Sequence, residues 1–376
     1  MLKKIYNEIY KWWKSVDFIT FICIITLYCF SSILINISSI FVAKRIGVHE
    51  LFFVKKQLIF LPVSFMLALT FSNIQVSKIL KTSIVFVVLI ILCLSLTILY
   101  GSQIKGSRRW LNVFGFAMQP SEFLRPFLWI VTSFIISRKS YCENFPVLTV
   151  VGILYLVISI LILLQPDIGT LMLLYSVLSV QLFVAGISVY LVCIIIFTIV
   201  VILAVLYLIL PHVRYRVDSF LWESGNYQVT KSLQAFYQGG LYGVGPGEGV
   251  VKKVLPDSHT DFVLSVIAEE FGGITAVVVC LIFCILVVRS MYIILNDTNL
   301  FRKLTVTGIS VQLWLQSFIN LGVAVHILPT KGMTLPILSY GGSSVISIGI
   351  LFGILLAFTK NNLLNDKFTL NKYNIN

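Results

Sequence analysis

Charge is scarce in this sequence. Asp, Glu, Lys and Arg make up 11% of its 376 residues, whereas 58% are hydrophobic. A soluble domain carries about 25% charged residues, so a water-soluble globular fold is excluded. The solvent for most of the chain must be lipid. Acid is scarcest: 15 Asp and Glu stand against 28 Lys and Arg, a net charge of +13. The basic residues are scattered between apolar runs and form no basic domain. That excludes nucleic acid as a partner and favours anionic head groups or an anionic lipid substrate.

Cysteine is sparse and badly placed for cross-linking. Cys23, Cys29, Cys93, Cys193, Cys280 and Cys284 lie in apolar runs, Cys142 in a short loop, and the long polar segment has none. No disulfide framework is expected. Cys280 and Cys284 share a helix face without nearby His or Asp, so they read as packing rather than metal ligands. Internal repeats and low-complexity tracts are absent. The first apolar run is long enough to span and lacks a small-x-small cleavage site after it, so no cleavable signal peptide is expected.

What is present is a series of ten apolar stretches: about 18–41, 57–72, 82–100, 122–137, 146–164, 169–186, 188–210, 262–288, 304–328 and 342–359. In lipid each must be helical, because every backbone N–H and C=O needs an internal partner. The expectation is an all-α integral membrane protein of about ten transmembrane helices. It is read as a single polytopic domain over 1–376, with a large extracytoplasmic loop at 211–260 between the seventh and eighth. The first seventeen residues mix Lys3, Lys4, Lys11 and Lys14 with Ile5, Ile9, Trp12 and Trp13 and read as an interfacial amphipathic helix. Loop lysines and arginines are almost evenly divided between the two sides. The four lysines before the first span favour an inside N-terminus, and an even number of spans puts the C-terminus inside too.

Four polar stretches then fall on the outer side. Lys105 to Trp110 reads KGSRRW and leads to Gln119-Pro120-Ser121-Glu122, where Pro and Glu mark a helix start. Arg108 and Arg109 offer forked donors to phosphate. Glu122 and Arg125 are three apart and can pair on one helix face. The second stretch is QPDIGT, in which Asp167 either caps the following helix or orients a cation or a sugar hydroxyl. The third, from Pro211 to His259, contains six glycines in the eleven residues 239–249, a backbone suited to close approach to a ligand. It lacks the Lys-Ser/Thr ending of a phosphate loop. Lys252 and Lys253 precede LPDSHTDF, which places His259 and Asp261 at the membrane edge. The fourth, LPTKGMTLPILSYGGSS, is broken by Pro329, Gly332 and Pro336 and carries Lys331, Ser339 and Ser343. Irregular backbone at that depth must be buried in protein or line a wet cavity. Asn320 and His326 precede it; His326 reads as packing.

Glu269 and Glu270 sit inside the eighth apolar run, where charge is costly. On a helix, Glu269 is roughly 12 Å along and about 80° around from Asp261, and Glu270 about 180° around. They read as structural pairs or cavity-wall groups.

Together, KGSRRW…QPSE, QPDIGT, GVGPGEG…LPDSHTDF with AEEFG, and LPTKGMTLPILSYGGSS resemble the SEDS family (shape, elongation, division and sporulation). The lysine of LPTKG is closer to division-type members, with elongation-type members the near alternative. Arg125-Pro126 departs from the family pattern of Lys and a less helix-breaking residue. The resemblance implies peptidoglycan polymerisation from lipid II at the bacterial inner membrane, at the division septum, with Asp261 as the catalytic carboxylate. It implies release of undecaprenyl pyrophosphate, a class B penicillin-binding transpeptidase as partner and other divisome membrane proteins nearby. Substrate-binding candidates are Lys105, Arg108, Arg109, Glu122, Asp167, Lys331, Ser339 and Ser343, with Lys252 and Lys253 as further cations for the pyrophosphate. A divalent cation such as Mg is compatible with the leaving group, but no ligand set is legible. The alternative reading is a transporter that flips lipid II across the membrane.

Overall fold

The computed structural model describes residues 2–104, 107–113, 116–140, 146–209, 214, 218, 220, 227–329 and 332–360. Each of the ten apolar stretches is helical. After an N-terminal helix α1 (Leu2–Ser15) come α2 (Phe18–Ser38) with its short continuation α3 (Ile40–Arg45), α4 (Phe52–Asn73), α5 (Val76–Tyr100) and α6 (Pro120–Ser137). Then follow α7 (Val147–Leu164), α8 (Ile168–Val184) and α9 (Val189–Ile209). The last four are α10 (Tyr227–Gly239), α11 (Val263–Ile294), α12 (Leu300–Ala324) and α13 (Gly342–Phe358).

Five stretches, 18–45, 52–73, 76–100, 147–164 and 263–294, are long and apolar enough to cross a membrane, and α8 and α13 are shorter apolar helices. The protein is therefore a helical membrane protein. The more polar α6 and α12 lie inside the bundle: Arg125 on α6 and Gln312, Gln316 and Asn320 on α12 are all buried. A helix covered by other helices needs less apolar surface than one facing lipid. Pro126 does not break α6, which continues to Ser137.

The all-α expectation holds for the spans; between α5 and α6 the chain also forms a small three-stranded antiparallel sheet of β1 (Ser102–Ile104), β2 (Ser107–Val113) and β3 (Phe116–Met118). Ser102 pairs with Trp110 and Leu111 with Met118. Backbone groups leaving α5 thus find partners at once.

Helix α4 packs tightly on α13 through small residues at four-residue spacing. A Cβ at Gly349 would lie 2.2 Å from Ser64 Oγ, and one at Gly353 would lie 2.5 Å from the Ala68 carbonyl oxygen. Small residues let two backbones approach where no hydrophobic force between helices is available. Ser64 Oγ also donates to the Val345 carbonyl at 2.6 Å and bonds the Tyr28 hydroxyl at 2.6 Å.

Ion pairs mark the two ends of the bundle. At one end, Asp17 caps α2 through the Thr20 amide at 2.9 Å and accepts two bonds from Arg289 of α11, at 3.0 and 2.6 Å. Burial pushes the Asp17 carboxyl up, but these bonds outweigh it and hold the group below its usual range. At that same end Arg302 pairs with Asp297 at 2.8 Å and donates to the Phe358 and Lys360 carbonyls. Trp12 of α1 reaches Ser72 Oγ at 2.9 Å and lies edge-on to Phe21.

Candidate active site

The other end collects the four polar stretches. The sheet turns Arg109 onto QPDIGT: its Nε donates to the Gln165 carbonyl at 3.0 Å, another nitrogen donates to the Pro166 carbonyl, and Nη1 lies 3.8 Å from Asp167. Asp167 caps α8, accepting from the Thr170 amide at 3.3 Å and its hydroxyl at 2.8 Å. The capping reading of Asp167 thus holds, and the same side chain also faces a guanidinium. Arg108, one residue along the strand, is exposed. Glu122 and Arg125 pair at 2.7 Å, as their spacing allows. The Glu122 carbonyl is held by Ser347 Oγ at 2.6 Å, and Ser343 Oγ accepts from the Gln119 amide at 3.0 Å. The first and fourth stretches are thereby joined. Lys105 and Lys331 lie outside the described residues.

The third and fourth stretches meet at Asp261. Three successive carbonyls each accept a bond. His259 O takes the Tyr340 amide at 2.7 Å, Thr260 O takes Ser339 Oγ at 2.5 Å, and Asp261 O takes Asn320 Nδ2 at 2.9 Å. The same Asn320 nitrogen donates to the Met333 carbonyl at 2.8 Å, and Ser339 Oγ accepts the Leu335 amide at 2.8 Å. A Cβ built on Gly332 would stand 3.3 Å from Asp261 Oδ2, so the bare α-carbon lies directly beside the carboxylate. Gly332 has φ +63°, which favours glycine in any case. The hydroxyls of Ser339 and Ser343 are thus engaged with backbone groups of the neighbouring stretches.

His259 is buried between Phe53 and Tyr340, with ring centroids 4.7 and 5.4 Å away. Burial lowers its pKa to about 4, so the imidazole is neutral at neutral pH. Nearby Arg45 adds to that lowering, while Asp257 opposes it. Burial pushes the Tyr340 hydroxyl up to about 12. His326 packs against Phe220 at 5.1 Å, in keeping with a packing role.

One sequence expectation is corrected, and the glycine-rich segment gains a packing role: Gly239, Gly243 and Gly249 press onto α11, while Gly240 and Gly247 face open space. That helix kinks at Gly272 (φ +89°), and the kink exposes backbone groups to the loop. Gly273 N donates to Gly240 O at 2.8 Å, Val244 N to Glu269 O at 2.9 Å and Gly245 N to Glu270 O at 3.1 Å. A Cβ at Gly239 would sit 1.9 Å from the Ala268 carbonyl oxygen, and one at Gly243 2.3 Å from that of Glu270. Lys252, read as a pyrophosphate contact, is instead fully buried and pairs with Glu270 at 2.5 Å. A buried cation with a buried partner is not available to a ligand.

The structural-pair reading of Glu269 and Glu270 gains detail. The Glu269 carboxylate accepts the Val251 and Lys252 amides at 2.6 and 2.8 Å. That of Glu270 accepts the Gly249 amide at 2.9 Å and also the Gly247 amide. Both carboxylates hold the loop to α11, and their charge is compensated by four amides and one ammonium. Among the described residues, no three His, Cys, Asp or Glu side chains gather in a way that could hold a metal ion.

An apolar helical bundle, with buried ion pairs at both ends and a carboxylate locked between two loops at one of them, defines a multi-pass integral membrane protein with a candidate active site at a membrane edge. Residues 17–363 match the FtsW, RodA and SpoVE family, described as cell cycle proteins, and the chain belongs to that family. A probable peptidoglycan glycosyltransferase FtsW of Caulobacter vibrioides is 31% identical over 352 residues, covering 93% of this chain and 90% of that protein. Another from Trichlorobacter lovleyi is 35% identical, covering 90% and 92%. Among solved structures, a chain of a peptidoglycan synthase complex that coordinates polymerization and crosslinking superposes with TM-score 0.75 at 23% identity, covering 92% of this chain and 97% of that one. The rod shape determining protein RodA of Thermus thermophilus superposes with TM-score 0.69 at 22% identity over the same shares.

Proposed function

We infer that this protein is a peptidoglycan glycosyltransferase that polymerises lipid II during septal wall synthesis. The relatives named for that activity span almost the whole chain. The observation that carries the chemical reading is Asp261, fixed by three consecutive backbone contacts with its carboxylate beside the bare Gly332.

In the proposed reaction the 4-hydroxyl of an acceptor sugar attacks the anomeric carbon of a lipid-linked donor. The new C–O bond forms as the bond to the pyrophosphate oxygen breaks, and Asp261 takes the hydroxyl proton. A general base must lie within hydrogen-bond reach of that proton. Undecaprenyl pyrophosphate leaves with its charge, which needs cations where it develops. We assign that task to Arg108, Lys105 and Lys331, with Lys253 as a further exposed cation. Arg109 and Asp167 shape the adjoining wall, Glu122 supports it through Arg125, and Ser339 and Ser343 hold the loops that border it.

We further propose that all ten apolar helices cross the inner membrane as one domain. The main hydrophobic cluster takes residues from Val16 to Phe358, which supports a single unit. The Asp261 end then faces outward, with residues 211–260 as its largest loop, and both termini are cytoplasmic. A class B penicillin-binding transpeptidase and other divisome membrane proteins are the proposed partners. The test is purified protein with its transpeptidase partner and labelled lipid II. Glycan chains and free undecaprenyl pyrophosphate are the expected products. Movement of intact lipid II across liposomes with no glycan formed would replace this reading with a transporter.

A further inference from the structure

We propose that Asn320 is a positioning residue for Asp261, acting with Ser339; this rests on Asp261 being the base. Asp261 belongs to the loop ahead of α11, and loops shift more readily than helices. A base that must meet a hydroxyl within hydrogen-bond distance needs a fixed backbone. Here the Asp261 amide is held locally by the Asp257 carbonyl at 3.0 Å, while its carbonyl side is fixed from elsewhere in the chain. Asn320 stands on α12, buried to 1% exposure, and one nitrogen bridges the Asp261 and Met333 carbonyls at 2.9 and 2.8 Å. It therefore ties the carboxylate-bearing loop and the loop carrying Gly332 to one rigid helix. Ser339 repeats the arrangement one residue earlier, receiving the Leu335 amide and donating to the Thr260 carbonyl.

Gln316, one turn before Asn320 on the same face, donates to the Thr334 carbonyl at 2.9 Å. Two amide side chains spaced by one helical turn thus grip Met333 and Thr334, successive residues of the same loop. Only the Asn320 bridge continues to Asp261. The two groups also carry different consequences on removal. Losing Gln316 frees the loop tip, whereas losing Asn320 frees the base relative to the loop beside it.

The experiment measures lipid II polymerisation by the complex with its transpeptidase partner. The variants are Asn320→Ala, Ser339→Ala, Ser339→Thr, Ser31→Ala and Asp261→Asn. Asn320→Ala and Ser339→Ala are expected to lower kcat roughly 10- to 100-fold with KM for lipid II nearly unchanged, the signature of a misplaced group. Ser339→Thr, which keeps the hydroxyl, restores most of the rate. Ser31→Ala removes a buried bond to the Ile337 carbonyl in the same loop, at 2.7 Å, without touching the Asp261 strand of contacts, and is expected to keep kcat. Thermal melting of each variant in detergent reports folding separately. Wild-type kcat in a folded Asn320→Ala, or an equal loss in Ser31→Ala, overturns the positioning role. An active Asp261→Asn instead overturns the base assignment on which it rests.

Discussion

At the scale of single residues, burial decides what each charged or polar group can do. His259 is two residues from Asp261 in the sequence, yet it is sealed between two aromatic rings and held neutral. Its folded pKa of about 4 lies below its ordinary 6.5, so the unfolded chain binds the proton more readily between those values. Stability is therefore complete above pH 6.5 and declines as pH falls towards 4, by a total of about 3 kcal/mol. Melting of the wild type should fall more steeply over that window than melting of His259→Phe, which keeps the ring and cannot titrate. Parallel curves for the two would contradict this. The residues legible in sequence were those whose meaning is local: Asp261 at a helix start, the Glu122–Arg125 pair, Asp167 as a cap. Lys252 is not legible in this way, because its partner Glu270 is brought to it by a folded loop and a kinked helix, which no spacing rule reveals.

At the scale of elements, glycine serves packing at two places. In α11, Gly272 takes φ +89°, and a Cβ there would lie 2.2 Å from the Leu241 carbonyl oxygen. Gly272→Ala combines backbone strain with overpacking, and should destabilise by about 3 kcal/mol or more. Thermal melting would show the drop, and faster proteolysis of the 239–253 segment would locate it; an unchanged melt would refute the close-packed kink. In α13, Gly349 and Gly353 lie in an apolar run that periodicity alone reads as a plain span, so their close packing on α4 shows only in the fold. The helices themselves were legible because lipid allows no other spanning backbone for such runs. The three-stranded sheet was not, because its strands are short, the outer two only three residues each, and carry no run of alternating apolar residues long enough to read as a strand.

At the scale of the molecule, contacts sort the loops onto two ends. Asp17 meets Arg289, and Arg302 meets Phe358, at one. Arg45 meets the Lys253 carbonyl, Ser258 meets Ser38, Arg109 meets Gln165 and Gln119 meets Ser343 at the other. Alternation of spans predicted that division even though counting positive charge could not orient it. In a background without native cysteines, Tyr242→Cys is expected to react with a membrane-impermeant thiol reagent on intact cells, and Lys139→Cys only after lysis. The reverse pattern would invert the topology.

The meeting of two polar stretches at Asp261, with the other two joined to the same end of the bundle through Arg109 and Gln119, is the basis of the enzymatic reading. The initial rate of lipid II polymerisation by the purified complex, wild type against Asp261→Asn, tests it most directly. The isosteric amide keeps the fold and removes the base, so the rate should fall roughly 100- to 10,000-fold. A rate within about twofold of wild type, beneath even the smallest loss expected for a general base, would contradict the account.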